Sequence, residues 1–474
     1  MSLFDWTGNP FVDTGLAVAV IRANKSSPSE MSMDDFKNVI GDGKWLASAN
    51  VKLNSYRLLF ANGFLNCSQV GKIKDGTELR KYERILTALK DHLDHEQIGP
   101  DNVSNNVCEC TGVFLSANSF LQKLTQSLKK ENILRDNQKL DLGRNAFPLL
   151  GSIGNDAGMM PAASREPNVS SFALLCIQMA SLVAVIMRGK IVMFQYTEPD
   201  LLIDQVRPIY QETIQKLETS SKNDKIAAKG TQQGSKTIAH LLLNQLDKFQ
   251  KKKKYAMLPN SLSLNLWLVV NSGTSYDCEL IEIPNHSLQF LYEAMRHHLT
   301  EIKKLLDIES NRRPDQQLLE CISKKKDYSP LYPYKTIPTS KELFALYQIE
   351  VLDRPILSLQ VAEWIAVQLK ERLQEGKDKK LLIEFTKHLG DYRDAKKCKP
   401  KIKKLMTQMA EEGNLSYDEY SALFPIIGSN PIKIDSFGWK FIWFYLNHEE
   451  LNNQRPQFIE ASIMSYENKF RKII

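Results

Sequence analysis

Between Leu142 and Val169 the chain reads LGRNAFPLLGSIGNDAGMMPAASREPNV, with glycine at 143, 151, 154 and 158 and proline at 148, 161 and 167. No helix or strand tolerates that density. Each proline removes an amide donor and fixes φ, and each glycine loses the most entropy on ordering. The segment therefore reads as a long loop. Long loops inside compact domains are uncommon and are often functional.

The flanking sequence has ordinary patterns. Glu78 to Leu93 carries Leu79, Tyr82, Ile85, Leu86 and Leu89 at helical spacing. Cys108 to Leu134 reads as a turn followed by an amphipathic helix. After the loop, Phe172 to Arg188 reads as a buried helix and Lys190 to Tyr196 as a strand. Leu241 to Phe249 is helical and runs into Lys251 to Lys254. Leu262 to Val270 and Cys278 to Ile283 alternate as strands, and Pro284 introduces a helix from His286 to Leu306.

Asp327 to Pro338, DYSPLYPYKTIP, marks the expected domain boundary. Beyond it the pattern is helical almost throughout. Asp353 is a candidate cap before Pro355, and Ser416 with Glu419 matches a capping box. Phe437 to Leu446 is densely aromatic and reads as a helix buried among others. The expected fold class is α+β: a mixed region over 1–330 containing the long loop, then a four- to five-helix bundle over 341–474.

The 474 residues carry 43% hydrophobic and 25% charged side chains, which excludes a disordered chain. The start has no secretory pattern, and no apolar run reaches the roughly 18–20 residues needed to span a bilayer. Seven scattered cysteines fit reduced thiols in a cytoplasm.

Catalytic signatures are missing: no phosphate-binding loop, no nucleophile elbow, no HExxH. His297 and His298, with Glu293 and Glu301 one turn away on either side of His297, could hold a metal, but an exposed helix face with charge pairs accounts for them better. Cys108 and Cys110 are spaced too tightly for a zinc knuckle, and Cys176 stands alone in an apolar stretch. No cofactor is expected.

Basic residues are more telling. Lys251, Lys252, Lys253 and Lys254 follow a helix, and Lys222, Lys225, Lys229 and Lys236 precede it. Lys324 to Lys326 is a third cluster. Arg393, Lys396, Lys397, Lys399, Lys401, Lys403 and Lys404 form a fourth. Clustered lysines bind phosphate backbones by displacing condensed counterions, although each cluster alone is also consistent with a solvated surface. In the Gly-rich loop, Arg144, Asn145 and Asn155 can donate to base edges. A loop held over the core by Phe147, Leu149 and Leu150 explains the same residues equally well.

Three features together carry a resemblance. They are the opening Trp6-Thr7-Gly8-Asn9-Pro10-Phe11-Val12-Asp13-Thr14-Gly15, the cysteine-containing turn, and the GRNAFPLLGSIGND segment ahead of a helical tail. The chain resembles the large subunit of type I-B CRISPR Cascade complexes, in the branch named for its CXXC–CXXC region. The resemblance implies a non-catalytic, cytoplasmic subunit of an RNA-guided DNA surveillance complex. Its partners would be crRNA, double- and single-stranded target DNA, and the handle-capping and backbone subunits. A nuclease-helicase or transposition proteins would act downstream, and no membrane is involved. Partner docking then falls to Trp6, Asn9, Phe11 and Asp13, and reading of the protospacer-adjacent motif or handle to Arg144, Asn145 and Asn155. Lys251 to Lys254 would grip duplex phosphates, and Lys396, Lys397, Lys403 and Lys404 a single strand. The paired CXXC motifs are degraded here, leaving Cys108, Cys110 and Cys176 without a zinc set. Two other readings stay open: a metal-dependent nuclease, and a scaffold that touches only protein.

Overall fold

The computed structural model of the chain describes residues 4–60, 64–66, 77–96, 107–112, 117–134, 136, 140, 142, 146, 168–187, 189–220, 238–251, 258–271, 276–309, 317–332, 339–374, 399–423, 436–448 and 451–455. The fold is mixed α and β, with two compact units. One comprises Met1–Ser235 with Lys248–Asn285, and the other Lys236–Asp247 with His286–Ile474.

The helices of the first unit are α1 (Pro10–Arg22), α2 (Met33–Ile40), α3 (Lys44–Lys52), α4 (Asn54–Leu59), α5 (Thr77–His92), α6 (Ala117–Lys130), α7 (Ser171–Ala180) and α8 (Leu201–Thr219). Its strands are β1 (Val185–Met187), β2 (Lys190–Tyr196), β3 (Leu264–Asn271) and β4 (Tyr276–Ile283). Helix α1 is the centre. Every residue from Pro10 to Val20 is buried. Its valines are indifferent helix formers, so its helicity rests on burial and on its cap rather than on propensity. It packs against α7, which is buried along its whole length, and against α8 and β2.

The four strands form one antiparallel sheet in the order β1-β2-β3-β4. Gly189, at φ +77°, makes the tight turn between β1 and β2. Strand β2 is buried on both faces from Ile191 to Phe194, because α1, α4 and α8 pack on it. Strand β4 is an edge, largely exposed. Lys190 reaches over β3 to it, with its Nζ 2.7 Å from Asp277 and 3.2 Å from Glu279. Charge at an edge discourages further strand pairing.

A buried polar network joins α3, α4, α5 and α7. Asn50 Nδ2 donates to Tyr82 Oη at 2.8 Å and to the Gln178 carbonyl at 3.0 Å. Tyr82 Oη donates to Gln178 Oε1 at 2.6 Å, and Ser55 Oγ to the Ser181 carbonyl at 2.6 Å. Such a network fixes one packing arrangement among several apolar ones, while Gln178 Nε2 is buried with no hydrogen-bond partner.

The second unit holds α9 (Ile238–Lys251) up to Asp247, and α10 (Asn285–Glu309) from His286 on. It continues with α11 (Leu318–Ser323), α12 (Lys341–Glu350), α13 (Ile356–Gln374), α14 (Lys399–Glu411), α15 (Tyr417–Leu423) and α16 (Ser436–Leu446). Helix α13 packs against α12, α15 and α16. The aromatic residues of α16 from Trp439 to Tyr445 are buried as expected, and Phe444 stacks on Phe344 at 3.7 Å. The expected capping box is present: Ser416 Oγ accepts from Glu419 N at 3.3 Å, and Glu419 Oε2 from Ser416 N at 2.7 Å. Glu419 also receives a two-pronged bond from Arg455, at 2.8 and 3.0 Å.

Two expectations are corrected. The helix expected over Phe172 to Arg188 ends at Ala180, and Val185–Met187 pairs with Lys190–Val192 as a strand. Asp353 does not cap α13; it has φ +53° and pairs with Lys325.

Candidate functional site

The opening motif folds into a single built turn. Asn9 caps α1, its Oδ1 accepting from Phe11 N at 3.1 Å and Val12 N at 3.3 Å. Pro10 sits at the first helical position, where its missing N–H costs nothing. One turn further in, the Asp13 carboxylate reaches back to the strand of chain ahead of the cap. Oδ1 accepts from Thr7 N and Thr7 Oγ1, both at 2.8 Å, and Oδ2 from Gly8 N at 3.0 Å. Gly8 has φ +77°, with open space where a β-carbon would stand. Its conformation, not crowding, calls for glycine there. Burial pushes the Asp13 carboxyl above its ordinary value, against the lowering effect of the Thr7 and Gly8 donors.

This turn is pinned to two neighbours. Gln195 Nε2 on β2 donates to the Gly8 carbonyl at 2.6 Å, and Trp6 Nε1 donates to Asp200 Oδ1 at 2.9 Å, at the start of α8. Of the residues expected to dock a partner, Trp6 and Asn9 are half-buried and reach the surface. Phe11 and Asp13 do not: they are 0% and 5% exposed. Asp13 holds the turn from within, through its bonds to Thr7 and Gly8. Trp267 Nε1 on β3 also donates to Gln195, at 2.8 Å, and Trp267 pairs across the sheet with Leu280, 43% exposed. Gln195 thus joins the motif to the sheet. A lone glutamine in a strand carries no sequence signal for that role.

The expected nucleic-acid residues separate into two groups. Arg144, Asn145, Asn155, Lys252, Lys253, Lys254, Lys396 and Lys397 lie outside the described residues. Lys251 is the last residue of α9. Lys403 and Lys404 lie on α14, the first half-buried and the second exposed. In the Lys324 to Lys326 cluster, Lys324 pairs with Glu320 and Lys325 with Asp353, which neutralises most of its charge.

The expected histidine pair is split by a break in α10. His298 has φ −133°, and the two imidazoles take different acids: His297 lies 3.5 Å from Glu293, and His298 3.6 Å from Glu301. Glu301 is further engaged by Ser340, whose Oγ donates to it at 2.8 Å as Ser340 caps α12.

Cys108 and Cys110 share one turn, in which the Gly112 amide donates to the Cys108 carbonyl at 2.8 Å. The Ser170 amide, at the cap of α7, donates to the Cys108 sulfur at 3.2 Å. The next two amides of α7, those of Ser171 and Phe172, donate to the Glu96 carboxylate. Cys176 is fully buried within α7, and burial pushes its thiol well above the ordinary value. Among the described residues no three His, Cys, Asp or Glu side chains converge on a point where a metal could sit.

Comparison with protein-family models, with curated proteins and with solved structures finds no match. Among the described residues no helix is long and apolar enough to cross a membrane.

Proposed function

We propose that this chain is the non-catalytic large subunit of an RNA-guided DNA surveillance complex of the type I-B Cascade kind. In this reading it recognises the protospacer-adjacent motif and helps hold the target and displaced strands. The opening motif carries the proposal. It is the more specific part of the sequence resemblance, and its polar residues bond to one another to make a turn with Trp6 and Gly8 at the surface. A motif whose chemistry is spent on presenting a few atoms suits docking better than turnover. On α14 the exposed Lys404 and the half-buried Lys403 would add a sequence-independent grip on phosphate. Guide pairing would supply most of the sequence reading, leaving this subunit a short readout and a backbone hold.

The test is to purify the tagged full chain from its host and sequence the RNA that accompanies it. A population of short RNAs with one shared 5′ end, together with sister proteins, is the expected result. A chain recovered free of RNA and partners would overturn the reading. Cleavage of nucleic acid by the purified chain with magnesium or manganese, lost in His297→Ala, would replace it with a nuclease.

A further inference from the structure

We propose that Cys108 and Cys110 form a hydroperoxide-reactive dithiol that closes to an intramolecular disulfide. The argument begins with the turn. The Thr111 and Gly112 amides both return to the Cys108 carbonyl, so the backbone curls tightly between the two cysteines. Residues two apart in such a curl fall within the roughly 4.4–6.8 Å between Cα atoms that a disulfide spans. The two thiols already meet, with Cys110 hydrogen-bonded to the Cys108 sulfur.

The environment gives the two sulfurs different jobs. Cys108 is 1% exposed and sits at the start of α7, where the Ser170 amide points at its sulfur at 3.2 Å. Amide donors at a helix start favour a negative charge. The Cys110 thiol, the Ser170 donor and the Thr111 hydroxyl together hold Cys108 down to about 5, outweighing its burial. Cys110 keeps its proton, since the neighbouring sulfur and burial push it upward. Cys108 is thus the nucleophile and the half-buried Cys110 the resolving thiol.

The chemistry balances in two steps. The Cys108 thiolate attacks the terminal oxygen of the hydroperoxide; the O–O bond breaks, the departing alkoxide or hydroxide takes a proton from solvent and leaves as alcohol or water, and Cys108 becomes a sulfenic acid. The Cys110 sulfur then attacks the Cys108 sulfur; the S–O bond breaks, the Cys110 proton goes to the departing hydroxide, and water leaves. Two thiols and one hydroperoxide yield one disulfide, one alcohol and one water. The sulfur facing Ser170 is then neutral, and the first amide bond to the α7 start is weakened.

The experiment treats the full chain with hydrogen peroxide, alkylates the remaining thiols and reads the peptides by mass spectrometry. Cys278, half-buried on β4, serves as the internal control. The peptide holding Cys108 and Cys110 is expected to lose two hydrogens and escape alkylation, at a rate roughly tenfold or more above oxidation of Cys278. In Cys110→Ser, Cys108 stops at the sulfenic acid and is trapped by a 1,3-dione. In Cys108→Ser, Cys110 reacts no faster than Cys278. Continued alkylation of both thiols after peroxide overturns the proposal, as does an absence of 1,3-dione adduct at Cys108 in Cys110→Ser. The latter variant leaves the buried sulfur in place, so it decides the matter even where Cys108→Ser does not fold.

Discussion

A β-carbon placed on Gly15 would stand 1.8 Å from the backbone oxygen of Cys176. The two central helices of the first unit, α1 and α7, therefore touch backbone to backbone at this point. Gly15→Ala cannot be absorbed by a side-chain rotation, because the atoms it meets are main chain. The helices must move apart, and the buried faces on both sides lose contact. A cost of about 3 kcal/mol or more is expected, read as a lowered thermal midpoint or loss of soluble chain. An unchanged midpoint would mean that the helices are not packed this closely.

Asp13 supplies the second prediction. Asp13→Ala leaves the part-buried Thr7 and Gly8 amides without their acceptor and is expected to cost about 1–3 kcal/mol. Asp13→Asn keeps one acceptor oxygen but turns an amino group toward those donors, and should cost nearly as much. The pH dependence has a definite sign. Burial raises the Asp13 carboxyl from its ordinary 3.8, so the folded chain holds the proton more tightly than the unfolded one. Its contribution to stability is most favourable below 3.8 and falls as pH rises through the folded value. Urea unfolding at several pH values should show this slope in the native chain and its loss in Asp13→Asn.

Cys108 behaves in the opposite sense. Its thiol is held down from 9.0 to about 5, first by the bond from Cys110, so its thiolate stabilises the fold fully above 9.0. The contribution shrinks as pH falls from 9.0 and is gone below about 5. Cys110 does not obscure this window, since its thiol is raised and stays protonated in both states below the ordinary value. The thiolate absorption of the folded chain should persist at mildly acidic pH and disappear in Cys108→Ser. A thiolate signal that fades already near the ordinary value would contradict the arrangement around Ser170.

The fourth prediction concerns α14 and rests on the proposed function. Lys403→Glu and Lys404→Glu, tested in the assembled complex, should weaken binding to all DNA sequences alike. Each lysine removed should lower the salt slope by about 1 and leave motif choice untouched. A change in motif preference with an unchanged salt slope would move these residues from backbone grip to base reading.

Some of this molecule was legible residue by residue. Lys190 to Tyr196 reads as a strand and is one, because β-branched and aromatic residues run between turn signals. The box of Ser416 and Glu419 is local chemistry and formed as read. Helix α1 was not legible. All its residues from Pro10 to Val20 are buried, so it has no polar face to mark a period. The same blindness extended α7 too far. Nothing in the composition of Val185 to Met187 distinguishes helix from strand, and its pairing with Lys190 to Val192 decides.

The sequence by itself determined the capping box of Ser416 and Glu419, the helical character of the described part of the last third, and the nearness of Cys108 to Cys110 along the chain. Each depends on neighbours within a few residues. Only the tertiary structure decided that Asp13 holds the opening turn from inside, that Gln195 ties it to the sheet, and that the start of α7 faces the Cys108 sulfur. The last two join positions 187 and 62 residues apart, and local composition carries no information about which distant donor such an acceptor meets.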